Sequence, residues 1–147
     1  MATAAVIEAL EAQLGCYQRL AKLAQIQHEH IQQSQTDALI EVLRDRQTVM
    51  TEITSFERIV GPAKREWSAF VAGLPDASRD RAQSLLDETR RLLEEINDSD
   101  RKDVLVLQQR KLNLGRQINQ ASSARHVTRQ YATAAYGPAK SNMDVQH

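Results

Sequence analysis

Proline occurs three times in this chain, at Pro62, Pro75 and Pro138, and that distribution limits the fold more than any other feature. Because Pro lacks a backbone donor and clashes with the preceding helical turn, it marks where helices end. Everything before Gly61-Pro62, and everything between Pro75 and Pro138, is therefore open to helix, with Gly115 the only glycine in the second span before Gly137 at its end. As one helix, residues 78–136 would extend roughly 85 to 90 Å at 1.5 Å per residue, too long for a compact domain. Aromatics make up 4% and charged residues 26%, a balance that favours helix and starves a sheet. The expected class is all-α: a helical hairpin packed on one very long C-terminal helix, as a coiled-coil-like bundle with a short connecting helix.

The expected helices cover about 3–33, 37–60, 63–72 and 78–136, in a single domain 1–136 followed by a flexible tail, 137–147. Within HEHIQQSQTDALIEVL, Ser34 or Thr36 is placed to cap the second helix, with Asp37 near its positive end. Gly61-Pro62 should end that helix, and Ser78 should cap the long one. Trp67, Phe70 and Val71 form a short apolar piece suited to closing one end of the core.

In the first helix Ile7, Leu10, Leu14, Tyr17, Ala21, Ala24, His28 and Ile31 trace a bundle seam. Leu39, Val42, Leu43, Val49, Met50, Ile53, Phe56 and Val60 make a wider stripe in the second, as expected of a helix with two neighbours.

The long span contains a polar run, NDSDRKD, at residues 97–103. A calcium loop starting at Asp98 needs Gly sixth and Glu twelfth, where the chain has Asp103 and Gln109. Asn, Asp and Ser also compete with helix through local hydrogen bonds, which favours a break. Against a break, Leu93, Ile96, Asp100, Val104, Leu107, Lys111, Leu114, Ile118 and Ala121 step by threes and fours across the run, with one added four as a stutter. The phase predicts a continuous helix in which Asn97 and Asp100 set register and Asp100 is a polar seam residue. On that reading, Asp100→Leu should stabilise the helix and tighten self-association.

The formal net charge is zero, but it is unevenly spread. Residues 1–60 carry five Lys/Arg against eight Asp/Glu, residues 61–100 six against nine, and residues 101–147 eight against two. A basic C-terminal segment on an otherwise acidic chain points to an acidic partner surface. Tyr131 and Tyr136 are its only stacking groups, and no nucleic-acid recognition motif accompanies them. Cys16 is the single cysteine, which excludes an internal disulfide and fits a reducing compartment. No apolar run approaches the roughly 20 residues of a membrane helix, and a cytoplasmic location is expected.

His28-Glu29-His30 places its histidines two apart, on different helix faces, where they cannot clamp one ion. The HExxH spacing, phosphate-binding Gly loops and nucleophile elbows are absent from the sequence. The chain is read as a non-enzyme without metal or cofactor. Beyond Ile118 the large aliphatics give way to Val127 and a stripe of small residues, Ala121, Ala124, Thr128, Ala132 and Ala135. Such an end either frays or gains order by packing against a partner's amphipathic helix.

Three blocks, IEALEAQLGCYQRLAKLAQIQHEHI, QTDALIEVLRDRQTVMTEI and LLEEINDSDRKDVLVLQQRKL, together resemble the FlgN-like flagellar export chaperones. The third is similar to that family's Leu-rich helix entering an Asn-x-x-Asn step, with Asn97 as the first Asn and Asp100 in place of the second. The resemblance implies a binding protein that holds secreted hook-filament junction (hook-associated) proteins and delivers them to components of the flagellar type III export apparatus. It also implies recognition by the C-terminal part of the long helix: Val127, Tyr131, Ala135 and Tyr136 as contacts, with Arg125 and Arg129 steering an acidic client. Ile118, Ala121 and Thr128 share that segment. The competing expectation is a structural coiled-coil adaptor whose long helix self-associates and which has no client-release role.

Overall fold

The computed structural model describes residues 2–136, with the side chains of residues 3–126. The expected tail, 137–147, lies outside the described residues. Four helices follow one another: α1 Ala2–Gln32, α2 Thr36–Arg65, α3 Trp67–Ala72 and α4 Asp76–Tyr136. The class is all-α, and α1 and α2 form a hairpin packed on α4, as the proline distribution predicts. The chain divides into two units, Met1–Val104 and Leu105–His147.

The first unit is filled by two apolar clusters stacked along the hairpin. One joins Val6, Ala9 and Leu10 of α1 to Val60 of α2 and to Leu74, Ala82 and Leu85, with Trp67, Phe70 and Val71 packed against it. The other joins Cys16, Tyr17, Leu20 and Ala24 of α1 to Val49 and Ile53 of α2 and to Leu92 and Ile96 of α4. Each fully buried aliphatic side chain in these layers contributes about 2 to 3 kcal/mol relative to exposure. Trp67 is half-buried, as its anchoring role requires, and its indole Nε1 donates to Gln83 Oε1 at 2.9 Å.

Several boundaries differ from the sequence expectation. Neither Ser34 nor Thr36 caps α2: Ser34 adopts a left-handed φ of 56° in the turn, and Thr36 is already helical. The turn is closed instead by backbone bonds, Ser34 N–H to Ile31 O at 3.2 Å and Gln35 N–H to His30 O at 2.9 Å. Gly61-Pro62 does not end α2, which runs on to Arg65 with Pro62 inside it. Pro62 is on the exposed face, while Val60 is buried and Ala63 packs against the first cluster, so burial on either side holds the turn that Pro weakens. The short helix accordingly starts at Trp67, not at residue 63. α4 begins at Asp76, two residues before Ser78, because Pro75 presents its carbonyl to Arg79 N–H at 2.9 Å and fixes the entry.

The seams are wider than the aliphatic spacing shows. On α1, Gln13, Cys16, Leu20 and Gln27 are buried, while Ile7, Leu14, Ala21 and His28 of the expected stripe sit half-buried at its edge. A helix wedged between two partners buries a broad face, and polar Gln13 and Gln27 belong to it. On α2, Leu43 and Met50 face solvent.

Candidate functional site

The run NDSDRKD is helix throughout, as its phase predicts, but its seam differs. The buried line on α4 passes through Ala82, Leu85, Thr89, Leu92 and Ile96 to Asp103, with Ser99 and Asp100 half-buried between. Val104 is 51% exposed and Asn97 is exposed, so neither lies on the buried line. No stutter is needed: Ile96 to Asp103 is one heptad. The sequence pattern followed aliphatic residues, whereas the fold buries Asp103, for which α1 supplies partners, and half-buries Asp100, for which α2 supplies one.

Those partners form a polar junction of three helices. Arg46 of α2 grips Asp100 with two parallel bonds, Nη1 to Oδ1 at 2.8 Å and Nη2 to Oδ2 at 2.9 Å. The same Nη1 donates to Gln27 Oε1 at 2.7 Å, and Gln27 Nε2 donates to Asp103 Oδ2 at 3.0 Å. His28 Nδ1 lies 2.6 Å from Asp103 Oδ1, which an ionised Asp103 can accept only from the Nδ1–H form. The hydrogen bonds that Arg46 donates to Asp100 raise the Arg46 pKa, overcoming the opposing effect of burial. Asp103 is 2% exposed, with both carboxylate oxygens bonded. Such an arrangement ties α4 to both helices of the hairpin through hydrogen bonds. It also reverses the expected sign for Asp100→Leu, which would strand Arg46 instead of repairing a seam.

The junction accounts for His28 as a structural residue, and His30 Nδ1 likewise lies 2.9 Å from Gln35 Oε1 in the turn. Among the described residues no group of three or more His, Cys, Asp and Glu is placed to hold a metal ion. Burial pushes the Cys16 thiol up, chiefly by desolvation, while Arg19 Nη2 donates to its Sγ at 3.3 Å and pulls the other way. A thiol held protonated in a packed layer is a weak nucleophile. No described helix is long and apolar enough to cross a membrane.

The second unit presents a different surface. Leu105, Leu107, Leu112, Leu114 and Ile118 of α4 are all exposed, Leu105 by 66% and Leu112 by 59%. At 100° per residue, Leu107, Leu114 and Ile118 form one row and Leu105 and Leu112 another, roughly 150° apart. Gly115 lies between the rows, in a shallow depression lined by Gln108, Lys111, Leu112, Arg116 and Asn119. From Leu105 to His126 the chain carries Arg110, Lys111, Arg116 and Arg125 and no Asp or Glu.

Of the recognition residues expected from sequence, Ile118, Ala121 and Arg125 are exposed on this helix, and Arg125 Nε donates to Ala121 O at 3.5 Å. Val127, Thr128, Arg129, Tyr131, Ala135 and Tyr136 belong to α4 by backbone, but their side chains lie outside the described residues. Sequence reading placed recognition from Ile118 onward and passed over Leu105 and Leu112, because neither falls on the single seam it followed. Their heptad spacing on a second face was the available signal. Comparison with protein-family models, with curated proteins and with solved structures returns no match for this chain.

Proposed function

We propose that this chain is a cytoplasmic binding chaperone of the FlgN type, holding secreted hook-filament junction proteins and handing them to the flagellar export apparatus without cofactor or turnover. The observation that supports the reading is the row structure of α4 from Leu105 to Ile118: five large aliphatic side chains kept in water on a helix whose neighbouring charges are all positive. Clustered apolar exposure of this kind marks an interaction surface, and helical rows are what an amphipathic client helix packs against. The first unit has its own filled core and a polar junction that joins its three long helical segments, so its apolar side chains are already satisfied without the exposed rows. The self-associating adaptor is the weaker reading, because two copies paired through this segment would set cations against cations.

Size-exclusion chromatography with light scattering tests the proposal. The chain alone is expected at monomer mass, and mixing with a hook-filament junction protein should give a heterocomplex. A tight dimer, unaffected by deleting residues 119–147 and indifferent to every secreted flagellar subunit, would favour the adaptor and remove the chaperone reading.

A further inference from the structure

We infer that the depression at Gly115 seats one large apolar side chain from an acidic amphipathic helix of a different protein; this rests on the reading of α4 as a client-binding helix. Glycine in a helix interior costs stability, so its presence asks for a reason. At Gly61 the reason is internal, since an added Cβ would lie 3.3 Å from Glu57 Oε2. At Gly115 an added Cβ would meet nothing within 4 Å, so no described neighbour requires the missing side chain. Gly15 on α1 has the same open space, but only Gly115 stands between two rows of exposed aliphatics in a cationic stretch.

The lining supplies the geometry. Gln108, Lys111, Leu112 and Gly115 are spaced i, i+3, i+4 and i+7, the four corners of a hole into which a knob from a facing helix inserts. With no Cβ at one corner, the hole admits a large side chain and lets the two backbones approach closely. Leu112 forms its apolar wall, and a helix laid across Gly115 also reaches Ile118 of the other row.

Charge selects the occupant. Lys111 and Arg116 flank the depression, and no acidic residue occurs between Asp103 and Asp144. A second copy of this segment would bring like charges to the rim. A nucleic acid would satisfy the cations but offers no aliphatic knob for the hole. A helix with a Leu-type knob between Glu or Asp flanks satisfies both.

The test uses the full chain and two fluorescein-labelled helical peptides, each with Leu at a and d, one with Glu and the other with Lys at e and g. Fluorescence anisotropy is expected to show the Glu peptide binding at least tenfold tighter than the Lys peptide. Gly115→Leu should weaken the Glu peptide at least tenfold while leaving the melting temperature unchanged or higher, and Gly115→Ala should weaken it less. Equal binding of the two peptides would overturn the inference, as would a Glu-peptide affinity unmoved by Gly115→Leu. So would a dimer of the chain alone that dissociates in Gly115→Leu, or tighter Gly115-dependent capture of single-stranded DNA. A hook-filament junction protein bound equally by wild type and Gly115→Leu overturns this inference but leaves the chaperone proposal standing; if neither peptide nor junction protein binds, both fall.

Discussion

Leu85→Ala is expected to lower the stability of the chain by about 3 kcal/mol, which for a folded unit near 100 residues shifts Tm by on the order of 15 °C. Leu85 is 1% exposed and packed among Val6, Ala9, Leu10, Val60, Leu74 and Ala82, residues from three helices and the α3–α4 connection that cannot all close over the space left by an isobutyl group. The comparison variant is Leu112→Ala, a change of the same chemistry on the same helix. Because Leu112 is 59% exposed and Ala favours helix at least as well as Leu, its stability should stay within about 0.5 kcal/mol of wild type. Thermal denaturation followed by circular dichroism measures both. Equal losses in the two variants would mean that Leu112 is packed within the chain and is not held for a partner.

The second large effect lies in the polar junction. Asp100→Leu should destabilise by about 1 to 2 kcal/mol, since it leaves the Arg46 guanidinium, 16% exposed, bonded only to Gln27 Oε1. Asp100 itself keeps 35% of its side chain in solvent, so the loss falls below the range for a fully buried pair. Arg46→Leu alone should cost a similar amount by stranding Asp100 and the Gln27 carbonyl. The double variant, with both charges gone and two Leu side chains able to meet, should recover most of the combined loss. Urea titration of the four proteins gives the coupling directly. Additive losses would show that Arg46 and Asp100 do not meet, and a gain in stability from Asp100→Leu alone would restore the sequence expectation of an unpaired polar seam residue.

The helices themselves were legible because their determinants are local. Proline spacing, a turn rich in Gln and Ser, and aliphatic periodicity fix where a helix is allowed. What periodicity could not show was which polar residues would be buried, since that depends on partners distant in sequence. Asp103 belongs to the seam only because Gln27 and His28 arrive from α1, and Asp100 because Arg46 arrives from α2. Following aliphatic residues alone shifted the seam by one position to Val104. Pro62 shows the converse error: a strong local breaker was overridden by burial of Val60 and Ala63 around it. At the candidate site, the basic character of the C-terminal third was legible as composition, but the Leu105 and Leu112 row was missed because a single-seam reading leaves no place for a second face.

α4 is continuous through NDSDRKD, and we propose that its stretch after Val104 is completed by a client. Hydrogen–deuterium exchange of the full chain, alone and saturated with a hook-filament junction protein, tests both halves at once. Amides 97–104 are expected to be protected to a similar degree as 85–96 in both states, and amides 105–126 to gain strong protection only when the client is present. Rapid exchange at 97–104 beside a protected 85–96, or no change at 105–126 on saturation, would contradict it.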